Sequence, residues 1–205
     1  MEVELKYTIT DDLIADRILN DPTLNKIKEP GSEKTINMYS LYYDTIDYDL
    51  SKAKIAFRMR KENDKIQATV KWDGKVENGK HAREEINLAL NDTTYMNNPT
   101  IEIFSKSPVE EKLVESSKGK RLIPIMKMDF VRNQFRVDDG EIICEVSVDK
   151  GQIIVGKAKT QISELEVELF LGKEEKLVKL GEELAKKYNL VPENQSKFVK
   201  GMELV

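Results

Sequence analysis

The chain opens with a strict alternation of charged and apolar side chains. Glu2, Glu4 and Lys6 carry the charges, and an apolar residue follows each of them. Because successive side chains of a β-strand point to opposite sides, a strand over these residues presents one ionic face and one apolar face. A solvated edge strand can show the same pattern, so its meaning depends on whether other strands repeat it.

At least five further segments repeat this alternation, and each is predicted to be a strand with an ionic or polar face. The residues on those faces are Arg58 and Arg60, Thr69 and Lys71, Arg83 and Glu85, Glu145, Ser147 and Asp149, and Glu164, Glu166 and Glu168. Acids and bases are mixed in mid-strand, and the amphipathic helices of the chain need apolar sheet surface to cover. The pattern favours an α+β fold, mainly antiparallel β, in which a closed barrel has its charges inside and its helices outside. The same periodicity also fits an ordinary sheet whose charged face lies in water, and this alternative stays open.

The rest of the chain fits strands interspersed with a few helices. Helices are predicted from Thr10 to Leu19, from Ser107 to Ser117 and from Lys173 to Tyr188, where helix start signals precede the apolar residues. The segment 21–34, which holds two prolines and a glycine, is predicted to be a loop. Strands are predicted over residues 36–44, 53–62, 65–73, 81–90, 121–137, 141–149, 152–157 and 161–171.

Composition narrows the chemistry that the chain can carry. With 205 residues and no linker-like stretch, we expect one domain over residues 1–205. The formal net charge of -4 argues against a broad basic surface for nucleic acid. One histidine, His81, and one cysteine, Cys144, leave little material for histidine ligand sets, catalytic triads or disulfides. The charged start and the absence of a long apolar run predict a cytoplasmic protein without a membrane span.

A closed barrel with a charged interior needs counter-ions, because an isolated buried charge is very costly. Its glutamates need more cations than the side chains supply, and its arginines and lysines need anions. A polyphosphate bound to a divalent metal ion meets both needs at once. Mg²⁺ and Mn²⁺ are the hard cations suited to a site made only of oxygen atoms.

The order and spacing of the charged motifs resemble those of the CYTH domain, or triphosphate tunnel metalloenzyme, family, and in particular its bacterial inorganic triphosphatase branch. The resemblance runs from Glu2 to Leu204. It is carried, in order, by Glu2-x-Glu4-x-Lys6, Arg58-x-Arg60, Thr69-x-Lys71, Arg83-x-Glu85, Asp129-Phe130-Val131-Arg132, Glu145 to Asp149, Glu164 to Glu168, and Ser196-Lys197. One departure is that Met126 to Met128 lacks an arginine that some members place on this strand.

The resemblance implies an eight-stranded antiparallel tunnel that binds a linear triphosphate together with Mg²⁺ or Mn²⁺. The implied metal ligands, which form the catalytic set together with Lys6, are Glu2, Glu4, Glu166 and Glu168. The implied phosphate-binding residues are Lys6, Arg58, Arg60, Lys71, Arg83, Arg132 and Lys197. Supporting roles fall to Glu85, Glu145 and Glu164. Glutamates this close should repel one another and raise their pKa values, so metal binding and activity should improve at alkaline pH.

The predicted activity is metal-dependent hydrolysis of inorganic triphosphate or of a small organic triphosphate such as thiamine triphosphate. Two alternatives stay open. One is an adenylate cyclase of the class IV type, which makes cyclic AMP from ATP, and the other is a polyphosphate-binding module that does not cleave. We expect a small-molecule triphosphate as the partner, with no nucleic acid and no membrane, and a homodimer stands as an alternative to a monomer.

Overall fold

Eight long strands form one closed barrel. In the computed structural model, which describes residues 1–205, they are β1 (Glu2–Thr8), β2 (Lys34–Asp44), β3 (Ala56–Glu62), β4 (Lys65–Glu77), β5 (Lys80–Leu90), β6 (Ile123–Asp138), β7 (Ile143–Val155) and β8 (Ala158–Leu171). Their order is β5-β4-β3-β2-β6-β7-β8-β1, and β1 also pairs with β5, which closes the ring. Every neighbouring pair is antiparallel. The structure therefore confirms the predicted fold class.

Helices and one very short strand complete the fold. The helices are α1 (Asp12–Leu19), α2 (Pro22–Ile27), α3 (Asp49–Lys52), α4 (Glu110–Ser117), α5 (Glu174–Tyr188) and α6 (Lys197–Met202). Two short 3-10 turns, Thr93–Met96 and Ile101–Phe104, precede α4, and β9 (Val191–Pro192) pairs with the end of β1. None of the helices is both long and apolar enough to cross a bilayer.

The apolar side chains that alternate with the charges face outward, and helices cover them. Leu5 and Tyr7 of β1 belong to a core of 19 buried residues that strands β1, β6, β7 and β8 form with α1, α2 and α5. Gly181 lets α5 approach β1, since a Cβ at this position would overlap the side chain of Leu5. A second core, of 13 buried residues, lies between strands β2, β3 and β4 and helices α3 and α4. The sheet is thus buried on its outer face.

A third apolar cluster lies inside the barrel, near α6. By strand alternation, Met38, Tyr42, Met128 and Phe130 share the inward face with the charged residues, and all four are buried. Helix α6 packs against this cluster through Phe198, whose ring centroid is 5.1 Å from that of Tyr42. The last helix therefore covers an apolar part of the interior and brings its own first residue to the charged part.

The segment 21–34 contains helix α2, so the prediction of a loop there is wrong. Pro22 suits the first turn of a helix, where its missing N–H is not needed. The Asp21 carboxylate caps the helix by accepting hydrogen bonds from the backbone N–H groups of Thr23 at 2.7 Å and Leu24 at 3.0 Å. A helix of six residues is too short for its apolar spacing to stand out in the sequence.

Some predicted strand bounds also differ from the structure. The strand predicted over 53–62 begins only at Ala56, because α3 and the turn after it occupy the preceding residues. The two strands predicted over 141–149 and 152–157 are one strand, β7, which runs without interruption from Ile143 to Val155. Neither change alters which side chains point inward.

Candidate functional site

The ionic strand faces surround a cavity of about 1110 Å³ inside the barrel, here called the lumen. Every residue that the sequence predicts for the site lines the lumen except Glu164, which is fully buried in its wall. Strand register brings these residues together: Lys6 of β1 lies opposite Glu166 of β8, and Glu2 lies opposite Arg83 of β5. Acids and bases from distant parts of the sequence are therefore neighbours.

Glu166 is at the centre of the first group of ion pairs. Its Oε1 lies 2.7 Å from the Nζ of Lys6 and 2.7 Å from the Nζ of Lys197, and its Oε2 pairs with Arg132. Burial alone would raise the pKa of Glu166, but the charges of these three cations hold that pKa well below its ordinary value. Glu166 is therefore ionised and fully engaged before any ligand binds.

Lys197, the first residue of α6, is anchored by several carboxylates. Its Nζ lies 2.8 Å from Asp149 and 2.8 Å from Glu164, in addition to Glu166. Asp149 also accepts two hydrogen bonds from Arg132, each 2.7 Å long. Asp149 is not among the predicted site residues, although it lies on the predicted ionic face of β7, two residues beyond Ser147.

A second group of ion pairs joins β1 to β4 and β5. The Nζ of Lys71 lies 2.9 Å from each carboxylate oxygen of Glu2 and also pairs with Glu85. Arg83 bridges Glu2, whose Oε2 lies 3.1 Å from its Nε, and Glu4. Both predicted metal ligands of β1 are thus held by predicted phosphate-binding cations.

Arg58 and Arg60 of β3 are the least compensated of the buried cations that line the lumen. Arg58 makes no ion pair: its Nη2 donates to Thr69 Oγ1 at 2.9 Å, and its Nε has no hydrogen-bond partner. Arg60 donates from Nε to Ser40 Oγ at 3.0 Å, while its Nη1 is 3.6 Å from Glu62. The two arginines are 6% and 8% exposed, and burial together with the charge of Arg58 lowers the pKa of Arg60 to about 10. This strand offers positive charge to an anion.

Glu168 of β8 is a carboxylate without a cation partner. It pairs with no lysine or arginine and lies opposite Glu4 in the register. Burial and the charges of Glu2 and Glu4 raise the pKa of Glu168 to about 8. Burial also raises the pKa of Glu145, the residue opposite Glu168 on β7, which accepts a hydrogen bond from Gln134 Nε2 at 2.6 Å. In this part of the lumen, no lysine or arginine forms an ion pair with Glu168 or Glu145.

We call Glu2, Glu4 and Glu168 the acidic corner, and its donor set is suited to a divalent cation. Carboxylate oxygens are the hard ligands that Mg²⁺ and Mn²⁺ prefer, and a cation would relieve the repulsion that raises the pKa of Glu168. No three acidic residues are arranged as a ready metal site, because Lys71 and Arg83 hold two of the three carboxylates. Metal binding here requires these carboxylates to leave their present partners.

The expectation that crowding raises the pKa values of the glutamates is met only at Glu168, whereas burial alone raises the pKa of Glu145. At four further glutamates of the lumen and its wall, burial acts in the same direction, but nearby lysines and arginines outweigh it. The glutamates whose pKa values are lowered in this way are Glu4, Glu85, Glu164 and Glu166. Any alkaline improvement of metal binding therefore depends on Glu168 and Glu145.

Neither the histidine nor the cysteine is placed to act as a nucleophile. His81 lines the lumen, but its Nε2 lies 2.8 Å from the carbonyl oxygen of Glu193, and burial together with the charge of Lys6 lowers its pKa. Cys144 belongs to the outer core, and burial raises the pKa of its thiol to about 12. The chemistry of the lumen is that of carboxylates, ammonium groups and guanidinium groups.

The family model of the CYTH domain matches residues 1–202 of the chain. The chain is also 34% identical over 165 residues to an inorganic triphosphatase of Haemophilus influenzae, an alignment that covers 78% of this chain and 44% of that protein. The chain therefore spans less than half the length of this curated relative.

Solved structures share the barrel. A Hippeastrum protein, described as a candidate adenylyl cyclase with a dominant triphosphatase activity, matches with a TM-score of 0.73 at 20% identity, over 99% of this chain and 96% of that chain. A candidate adenylate cyclase of Bacillus halodurans matches with a TM-score of 0.61 at 16% identity, over 98% of this chain and 96% of that chain. At these identities the likeness is one of fold.

Proposed function

This chain belongs to the CYTH domain family, and on that premise we propose that it hydrolyses linear triphosphates with the help of a divalent cation. The substrate is inorganic triphosphate or a small organic triphosphate. The separation of charge in the lumen carries this proposal, because Arg58 has no carboxylate partner while Glu168 has no cation and an elevated pKa. The activity named for the Haemophilus relative supports the same substrate class.

Cations of the barrel wall would bind the phosphate oxygens. Arg58 and Arg60 offer their donors at once, and guanidinium groups suit bidentate contacts with phosphate. The other predicted cations are engaged with carboxylates and would contribute as those carboxylates turn away, namely Lys6, Lys71, Arg83, Arg132 and Lys197. Fixed positive charges of this kind stabilise the negative charge that develops as a phosphoryl group is transferred.

Glu2, Glu4 and Glu168 would hold the Mg²⁺ or Mn²⁺ ion. When bound, such an ion polarises phosphoryl oxygens and stabilises the charge that develops on them. Glu166 is predicted as a further ligand, but three cations already hold it, and we propose that ordering those cations is its main role.

The ion pairs of the acidic corner would make metal binding and substrate binding support each other. When Glu2 and Glu4 turn to a metal ion, Lys71 and Arg83 lose carboxylate partners and can bind phosphate instead. The exchange keeps the buried charges compensated, which matters because an uncompensated buried charge is strongly destabilising.

The proposal is tested by incubating the purified protein with tripolyphosphate, thiamine triphosphate or ATP, in the presence of Mg²⁺ or Mn²⁺. Phosphate, pyrophosphate and cyclic AMP are then measured. We expect phosphate release from tripolyphosphate or thiamine triphosphate. Cyclic AMP and pyrophosphate from ATP would show a cyclase instead, and binding without any product would show a polyphosphate-binding module.

Two substitutions test the proposed roles. Arg58→Gln removes a guanidinium that forms no ion pair, so we expect tripolyphosphate to bind about tenfold more weakly, with little loss of stability. Arg121→Gln, at an exposed arginine outside the lumen, is the matched control and should bind like the wild type. Glu4→Gln should fold but lose metal-dependent turnover. Wild-type affinity in Arg58→Gln would contradict the proposed anion site.

We further propose that residues 1–205 act as one cytoplasmic domain. A single barrel brings all the predicted site residues together, so a second copy is not needed to complete the site. Light scattering would distinguish the monomer from a homodimer, and fractionation of cells would test the location.

A further inference from the structure

Phe130 places an aromatic ring beside the charged residues of the lumen. It lies two residues before Arg132 on β6, on the same inward face, and is only 3% exposed. Two cations lie over its ring: the Cζ of Arg60 is 5.7 Å from the ring centroid, and the Nζ of Lys197 is 5.5 Å from it. Both distances are within the range of cation–π attraction.

The packing around Phe130 fixes the position of the ring. Gly151 of β7 lies directly opposite Phe130 in the register, and a Cβ at this position would overlap the Phe130 backbone. Met38 lies opposite Phe130 on the other side, and Met128 belongs to the same buried cluster. The ring is therefore held by apolar neighbours, independently of the cations above it.

The two cations depend on this ring to very different degrees. Lys197 is already anchored by three carboxylates. Arg60 has only a hydroxyl group, that of Ser40, within 3.0 Å, and its nearest carboxylate oxygen, on Glu62, is 3.6 Å away. The ring of Phe130 is thus a principal contact that orients the Arg60 guanidinium.

We propose that Phe130 is a positioning residue that orients Arg60 towards a phosphate group of the substrate while leaving its charge free, an inference that rests on the proposed triphosphatase function. The ring attracts the guanidinium through its quadrupole and occupies none of its five N–H donors. A carboxylate in this place would also hold Arg60, but phosphate would then have to displace it, as it must at Lys71 and Arg83. An aromatic ring avoids this competition.

The test compares tripolyphosphate binding and turnover in three variants. Phe130→Leu removes the aromatic face but keeps apolar bulk, and Phe130→Tyr keeps the ring. Met128→Leu alters a residue of the same cluster that lies under no cation, and volume-conserving changes of this kind are usually tolerated. We expect Phe130→Leu to raise Kd and KM for tripolyphosphate about three- to tenfold while kcat changes less than about twofold. The other two variants should stay within about twofold of the wild type.

Two comparisons separate this role from others. In a double-mutant cycle, Phe130→Leu should have little further effect once Arg60→Gln is present, because its effect passes through Arg60. Additive losses in the cycle, or wild-type tripolyphosphate affinity in Phe130→Leu, would overturn the proposal. Weaker binding of ATP alone in Phe130→Leu would also overturn it, since the ring would then contact the nucleobase. A wild-type protein that neither binds nor cleaves triphosphates would instead refute the proposed function, and this inference with it.

Discussion

Glu166 and Glu168 stand two residues apart on β8 and face the same lumen, yet replacing each by glutamine should change stability in opposite directions. Burial and the charges of Glu2 and Glu4 raise the pKa of Glu168 to about 8, so its carboxylate is disfavoured in the folded protein. Glu166 is instead held by three cations. In the metal-free protein we expect Glu168→Gln to stabilise the fold and Glu166→Gln to destabilise it.

The size of the Glu168 effect follows from its pKa. The ordinary value is 4.5 and the folded value about 8, and each pH unit corresponds to about 1.4 kcal/mol, so the full effect is at most about 5 kcal/mol. Because the pKa of Glu168 is raised in the folded protein, the stability that goes with protonated Glu168 is fully present below about pH 4.5. It is lost as the pH rises through about 8. Glu168 is partly exposed and solvent screens the repulsion, so we expect about 2–3 kcal/mol between pH 5 and pH 8.

Chemical denaturation of the metal-free proteins at pH 5 and pH 8 measures this effect. The free energies of unfolding of wild type and Glu168→Gln should be similar at pH 5 and should separate in favour of the variant at pH 8. Glu166→Gln is the control on the same strand and should lose about 3 kcal/mol at both pH values, because it weakens the compensation of buried cations.

One result would refute this reasoning: a Glu168→Gln protein no more stable than the wild type at pH 8. The neighbouring carboxylates would then not disfavour the ionised form of Glu168. Excess Mg²⁺ should narrow the difference between the two proteins, since a bound cation stabilises the wild type more than the variant.

Two further predictions concern Lys71 and Gly151. Lys71→Gln should bind Mg²⁺ about tenfold more tightly without substrate, because Glu2 and Glu85 no longer hold an ammonium group, and should bind tripolyphosphate more weakly. Calorimetric titration measures both affinities, and changes in the same direction would contradict the ion-pair exchange. Gly151→Ala should lower the free energy of unfolding by about 1–3 kcal/mol, because its Cβ would overlap the backbone of Phe130. An unchanged melting temperature would argue against this close packing.

The alternation of charged and apolar residues is a local property, and all the predicted site residues except the wall residue Glu164 line the lumen. Side chains two residues apart on a strand share a face whatever the neighbouring strands are. Asp149 illustrates the strength of this rule, because it shares the inward face of β7 with Glu145 and contacts Lys197 and Arg132. The number of such strands and their need for charge compensation favour a closed barrel over an open sheet, and the pairing of β1 with β5 confirms the closure.

The pairing of individual charges could not be predicted from the sequence. Lys6 and Glu166 are separated by 160 residues, and their contact depends on a register that the whole barrel sets. Arg58 and Arg83 occur in similar local patterns, yet one is free of carboxylates and the other holds two. Phe130 likewise shares a face of β6 with Arg132, but the two cations over its ring, Arg60 and Lys197, come from β3 and α6.

The pairing of β1 with β8 makes the site depend on the order of synthesis. The strand that carries Lys6 leaves the ribosome 160 residues before Glu166, a delay of roughly 10–30 s at common elongation rates. During that time Lys6 lacks its Glu166 partner and the edge of β1 that pairs with β8 stays open, and an unpaired sheet edge is prone to aggregate. A chain that ends before β8 would keep this open edge, and the first group of ion pairs is complete only once Lys197 of α6 has been synthesised.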